Sequence, residues 1–384
     1  MNIKNILITG GRAPATLFLI RKLYRAGCRI IIAEGCDYHI AKYSACVSAC
    51  YKVISPVSDT EKFIDEITGI VKKAKIDLII PTCEEIFYLS KGKQTLEQYC
   101  RVFCDEQKKL LELHNKWSFY EKIRNSYTGV KLPRSAYVEN AVELEEFIKG
   151  SCSCKKFIIK PVYSRFATRV MITDRVPDNF VPGHYIVQEF IEGDQICSYS
   201  VIRNHRILLH SDYRTVYAAG KGVTIAFQYE DNRRIYDFIE EFSHKEDFFG
   251  QIAFDFIQND TGLYLIECNP RLTSGIQLFD ESRDISGVFT GEGISETVYP
   301  DRGYRTALIM IMFMYIFANV HSCRELRAWW HTIVSSEDVI YDKRDIKPFF
   351  MQFAVLIMVL FSGFRKHVGL KEMSTYDIEY NGDD

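Results

Sequence analysis

Glu267, Asn269 and Arg271 alternate along the run Ile266-Glu267-Cys268-Asn269-Pro270-Arg271. In a strand, alternate side chains share a face. A carboxylate, an amide and a guanidinium would therefore converge, directly after the apolar run Leu263-Tyr264-Leu265. Hard oxygen ligands beside a guanidinium suit a divalent cation and the phosphates that it neutralises.

The residues just upstream supply a partner strand. Gln251 to Gln258 reads as a strand (QIAFDFIQ), followed by Asn259-Asp260-Thr261-Gly262 and the strand from Leu263. A three-residue loop from Asp260 to Gly262 would place the glycine in a left-handed conformation. Asn259 then closes against Leu263, and counting back sets Asp255 opposite Glu267. Facing residues have Cβ atoms roughly 4.5–5.5 Å apart, close enough to share a cation. A slip of one residue would separate the two carboxylates. On the residues alone, an ordinary hairpin with its polar side chains in water is the other reading.

Elements that could position such a site precede it. Asn5 to Thr9 is a short apolar strand, Gly10-Gly11 a turn, and Ala13 to Ala26 has helical spacing through Leu17, Ile20, Leu23 and Tyr24. Arg29 to Ala33 is a second apolar strand, Glu61 to Lys73 an amphipathic helix, and Asp77 to Pro81 a third buried strand. Strands alternating with helices imply a parallel sheet covered on both faces. Residues 1–110 are therefore read as a Rossmann-like domain. The turn reads Gly10-Gly11-Arg12-Ala13-Pro14-Ala15 and lacks the G-x-G-x-x-G fingerprint, which argues against a dinucleotide there. Glu84 and Glu85 follow the strand Asp77 to Pro81, where ligands lie in such sheets; a solvated helix start is the alternative.

From about Leu110 the texture changes to α+β. Lys156 to Pro161 is a strand carrying Lys160, Tyr185 to Ile191 another, and Ile196 to Ile202 with Ile207 to His210 a further pair. The expected division is residues 111–300, with a small lobe at about 120–190 and a metal-binding lobe at about 191–300. Residues 301–384 then form a helical extension. Two uncharged runs stand out there, Thr306 to Val320 and Phe349 to Phe364. Both are short or marginal for a bilayer span, which needs about 20 residues. Buried core helices or a homodimer contact are expected, with a peripheral membrane contact through basic flanks as the alternative.

The 384 residues exceed what one core usually serves. A net charge of −2 gives no basic field for nucleic acid. Twelve cysteines include no C-x-x-C pair, so reduced thiols are a better reading than zinc ligands. The N-terminus has no signal-peptide pattern, and a cytoplasmic protein is expected, with membrane association through the tail left open.

These motifs in this order resemble the ATP-grasp superfamily, and among its members proteins similar to the carbamoyl-phosphate synthase large chain and the L-amino-acid ligases. The resemblance covers roughly residues 5–279 and implies a two-lobed module with mostly antiparallel sheets behind the Rossmann-like domain. Lys116 resembles the first nucleotide-binding lysine and Lys160 the second, which reaches the α and β phosphates. Gln188-Glu189-Phe190-Ile191 resembles the hinge that reads adenine and ribose. Asp255, Glu267 and Asn269 match the metal ligands, and Arg271 the phosphate-binding arginine. The resemblance implies ATP with Mg²⁺, or Mn²⁺ in its place, and a carboxylate activated as an acyl phosphate before an amine or similar nucleophile captures it.

Two departures qualify the match. The loop after Lys160 reads Val162-Tyr163-Ser164-Arg165-Phe166-Ala167-Thr168-Arg169 and contains no glycine, which makes backbone cradling of phosphate harder. Beyond the hinge, Gln195 and Tyr199 stand where acidic residues are common. Arg214 and Lys221 could reach phosphate or the substrate carboxylate, or simply be solvated. The expected activity is a ligase acting on small-molecule carboxylates and amines; the alternative is a nucleotide-binding regulatory or scaffolding protein without turnover.

Overall fold

The computed structural model describes residues 3–151, 155–164, 170–220 and 224–382. The first sheet contains β1 (Asn5–Thr9), β2 (Arg29–Glu34), β3 (Val47–Lys52), β4 (Leu78–Ile80) and β5 (Arg101–Val102). All its pairings are parallel, in the order β3-β2-β1-β4-β5. Helix α1 (Pro14–Arg25) covers one face and α2 (Thr60–Ala74) the other. Alternating apolar strands and amphipathic helices produce this arrangement, because a parallel sheet must bury both faces.

The chain then enters α3 (Lys116–Ile123), whose N-terminus is capped by the Asn115 side chain accepting from the Trp117 and Ser118 amides. A four-stranded antiparallel sheet follows, with β6 (Ser135–Val138), β7 (Phe157–Pro161), β8 (Met171–Thr173) and β9 (Tyr185–Glu189) in the order β6-β9-β7-β8. A third sheet is built from β10 (Asp194–Arg203), β11 (Arg206–Ala218), β12 (Thr224–Tyr229), β13 (Gly250–Asn259) and β14 (Gly262–Asn269). Helix α4 (Arg233–Lys245) backs it through Ile235, Phe238, Ile239 and Phe242.

The first and third sheets share hydrophobic cores instead of touching through a polar seam. Tyr199, Val201 and Leu209 of the third sheet pack in the cluster that contains Ile6, Ile8 and Ile80 of the first. Gln251 in β13 donates to the Pro81 carbonyl at the end of β4 (3.1 Å) and accepts from the Tyr199 hydroxyl (2.7 Å). The strand that carries Asp255 is thereby tied to the loop that carries Glu84.

The tail departs from expectation in two ways. The first apolar run does not make a helix throughout: Arg305–Ala307 forms β15, which pairs with β12, and Glu337–Asp338 forms β16 beside it. The second run does form a helix, α5 (Lys347–Lys366), the one helix among the described residues long and apolar enough to cross a bilayer. It is not a core helix. Only Pro348, Gln352 and Gly363 are buried, while Phe350, Phe353, Ile357, Phe361 and Phe364 are exposed. The chain ends by returning to the first sheet. Arg12 ion-pairs with Asp377 (2.6 Å) and with Glu34, and the Ser55 hydroxyl donates to the Asp377 carbonyl (2.6 Å).

Candidate nucleotide and metal site

Asp255 and Glu267 face each other across β13 and β14, as the counting required, but by a different route. The strands close at Asn259 and Gly262, one residue tighter than expected. That register alone would set Asp255 against Ile266. A bulge leaves Ile266 unpaired between Leu265 and Glu267 and restores the carboxylate pair. Cys268 faces Phe254 on the core side and is buried, so the alternation places Asp255, Glu267 and Asn269 together on the other.

These side chains open onto a cavity of about 820 Å³. Lys116, Lys160, Asp255, Glu267, Asn269 and Arg271 all line it. Lys160 projects from β7 and is buried. Lys116 sits at the first position of α3; its amide donates to the Val162 carbonyl (3.0 Å) and its ammonium to the Ser164 carbonyl (2.9 Å), which secures it to the segment after β7. Arg271 donates to the Asn269 amide oxygen (3.0 Å), and its Nε lies 3.8 Å from a Glu84 carboxylate oxygen.

The electrostatics follow from burial. Burial lowers the pKa of Lys160 to about 8, with Glu267 opposing the shift, and lowers that of Lys116 for the same reason against Glu267 and Glu84. Asp255 is raised by burial and by its neighbour Glu267. For Glu267, burial works against ionisation, but Lys116 and Lys160 outweigh it and hold its pKa below the ordinary carboxylate range. Asn269 turns its amide nitrogen to both carboxylates (3.4 and 3.5 Å); a half-turn of that amide would present its oxygen instead. Among the described residues no group of three or more His, Cys, Asp or Glu side chains forms a metal cluster. Two carboxylates with one amide oxygen are a sparse, hard donor set. It fits a cation such as Mg²⁺ that keeps waters and completes its shell with phosphate oxygens.

Ile158 of β7 and Ile257 and Ile266 of the third sheet also line the cavity. Two apolar walls from separate sheets can take a flat heterocycle between them. The hinge Gln188 to Ile191 stands beside this slot but does not line it. Gln188 faces Ile158 across the β7–β9 pair and is buried with its amide donating to Ser135 (3.0 Å). The Glu189 amide donates to the Arg134 carbonyl (2.9 Å) and the Phe190 amide to that of Lys156 (3.0 Å). The Gln188 side chain therefore serves the sheet.

The remaining expectations divide. Lys221 lies outside the described residues, as do Arg165 to Arg169 of the glycine-free loop. Arg214 is exposed and bridged to Glu230 (2.8 Å), away from the cavity lining. Gln195 lines the cavity, whereas Tyr199 is a core residue. Of the adjacent acids, Glu84 approaches the site. Glu85 uses one oxygen, Oε1, to accept from the Thr9 hydroxyl (2.6 Å) and the Thr82 and Cys83 amides (3.0 and 3.1 Å). Glu34, where a dinucleotide ribose would bind in a Rossmann domain, is taken by Arg12. The chain's end near Asp377 was not legible as part of the cavity wall; an Asp in a polar tail carries no local signal of its partner.

Residues 113–275 match the model of the ATP-grasp domain. Within those bounds the chain carries an ATP-grasp domain. Its structure is similar to the biotin carboxylase domain of Hydrogenobacter thermophilus 2-oxoglutarate carboxylase, crystallised with MgADP and bicarbonate (TM-score 0.60, 12% identity, 77% of this chain and 72% of that one). It is also similar to N5-carboxyaminoimidazole synthetase from Staphylococcus aureus (TM-score 0.61, 12% identity, 83% and 88%). A third is the L-amino acid ligase from Bacillus licheniformis (TM-score 0.56, 13% identity, 72% and 69%). An uncharacterised protein of Methanocaldococcus jannaschii is 25% identical over 211 residues, 51% of each chain. The match thus spans about half the length of that curated relative.

Proposed function

We propose that this chain is an ATP- and Mg²⁺-dependent ligase that activates a carboxylate as an acyl phosphate and couples it to an amine or a similar nucleophile. One observation carries the reading: Lys116, Lys160 and Arg271 share a single cavity with Asp255, Glu267 and Asn269. Three cationic side chains there would neutralise a triphosphate that otherwise repels an anionic nucleophile. Bound Mg²⁺, or Mn²⁺ in its place, would bridge and neutralise phosphate oxygens. Asp255, Glu267 and Asn269 would hold that ion, and Ile158, Ile257 and Ile266 the adenine. Arg271, flanked by Glu84, would orient the terminal phosphate toward the incoming carboxylate. Catalysis then comes from positioning and charge stabilisation, with no protein nucleophile.

The test is ADP release over a panel of ¹⁸O-labelled carboxylates and amines with Mg²⁺. An acyl phosphate route moves ¹⁸O from the carboxylate into the released phosphate. Tight ATP binding with no carboxylate-dependent ADP release across the panel would leave the nucleotide-binding regulatory or scaffolding reading in its place.

A further inference from the structure

The cavity does not stop at the phosphate-binding groups. It continues to the inner face of α5, where Val355, Met358, Val359 and Ser362 line it together with Asp255 and Lys160. These positions recur at helical spacing on one stripe. The Ser362 hydroxyl is bonded to the Met358 carbonyl (2.8 Å), and Lys366, one turn further on, also lines the cavity with its ammonium over the Tyr376 ring (4.4 Å), so the polar groups of this stripe sit toward the C-terminal end of the helix and the Val355–Met358–Val359 part is apolar. The facing wall comes from the first sheet, around Ala13-Pro14 and Gly35-Cys36. The strongest charge there is consumed internally: Arg12 is held by Glu34, Asp377 and the Ser374 carbonyl. The chamber thus combines the lysines, Arg271 and the carboxylates with an apolar stretch of wall at Val355, Met358 and Val359.

An apolar chamber wall stays unfavourably hydrated until an apolar group covers it. A carboxylate that attacks the terminal phosphate must put its charged end near Arg271, and the rest of the molecule must then occupy the remaining cavity. Resting on the ligase reading above, we propose that the carboxylate substrate is amphiphilic. Its acid group meets Arg271, and an aliphatic or aryl body lies against the Val355–Met358–Val359 face of α5.

The experiment is calorimetric titration of the full chain with acetate, butanoate, hexanoate, octanoate and decanoate, with and without Mg²⁺ and adenylyl imidodiphosphate. Full burial of each methylene predicts roughly fourfold tighter binding per added carbon. Val359→Asp, and separately Met358→Gln, should flatten that dependence, while Met358→Leu should retain it. Binding of the nucleotide analogue by the same variants reports their folding. Phe361→Ser, on the exposed outer side of α5, should leave the dependence intact. A flat profile in the wild type overturns the proposal. So does a slope that survives both inner-face variants, or one that falls with Phe361→Ser, since the chains would then bind elsewhere. Failure of the nucleotide analogue to bind the wild type is the separate result that removes the ligase reading.

Discussion

Asp255 faces Glu267 because Ile266 bulges out of β14. The bulge does two things at once: it corrects a register that would otherwise pair Asp255 with an isoleucine, and it leaves Ile266 lining the cavity next to Glu267. Ile266→Ser should keep Mg²⁺-dependent behaviour but weaken nucleotide binding by about tenfold, the order expected for uncovering one aliphatic wall. Isothermal titration with ATP analogues measures it; unchanged affinity would remove Ile266 from the proposed adenine slot.

The carboxylate pair is expensive for the protein alone. Asp255 is raised by burial and by Glu267. A carboxyl whose folded pKa lies above its unfolded one loses stability as pH rises from the ordinary carboxylate range through the raised value. Asp255→Asn should therefore stabilise the nucleotide-free protein at neutral pH by on the order of 2 kcal/mol, with the gain vanishing near pH 3. The same variant should lose Mg²⁺-dependent turnover. Thermal unfolding from pH 3 to 8 reads the first effect, and equal stability of both proteins throughout would contradict it.

If Lys160 meets a phosphate, its proton should report the binding. Burial holds its pKa at about 8, and a bound triphosphate would restore the charged form. At pH 8 nucleotide binding should take up about half a proton at this site, more at pH 9 and almost none at pH 6.5. The dependence of binding enthalpy on buffer ionisation enthalpy measures the uptake, which Lys160→Met should abolish. Lacking nucleotide, the wild type should gain stability from this group as pH rises through 8 toward the ordinary lysine value, because the unfolded chain there binds more protons. Equal proton uptake in wild type and variant would exclude Lys160 from the phosphate site.

The returning tail should matter for stability. Burial works against ionisation of Asp377, but its hydrogen bond and charge attraction to Arg12 prevail and lower its pKa. That contribution is present above the ordinary aspartate value and lost as pH falls through the lowered one. Asp377→Asn should cost about 1–3 kcal/mol at neutral pH by leaving Glu34 as the one carboxylate paired with Arg12 among the described residues, and the difference should shrink on acidification. Urea unfolding at pH 7 and pH 3 checks both statements.

The convergence of the candidate residues was legible in the chain because its signals are local. Alternation along Glu267-Cys268-Asn269-Pro270-Arg271 sorts side chains by face whatever surrounds them, and a hairpin links Asp255 to Glu267 within a dozen residues. The parallel first sheet was legible for the same reason, from apolar strands spaced by amphipathic helices. The hairpin count reached the right pair through two offsetting irregularities, a tighter turn and a bulge, neither of which composition marks. The rest belongs to contacts between distant segments. Glu84 reaches Arg271 because Gln251 ties β13 to the end of β4. The tail closes on Arg12 from 365 residues away. Helix α5 is apolar on every side, so no periodicity told which stripe would face the cavity; that orientation is decided by what the helix packs against once the chain has folded.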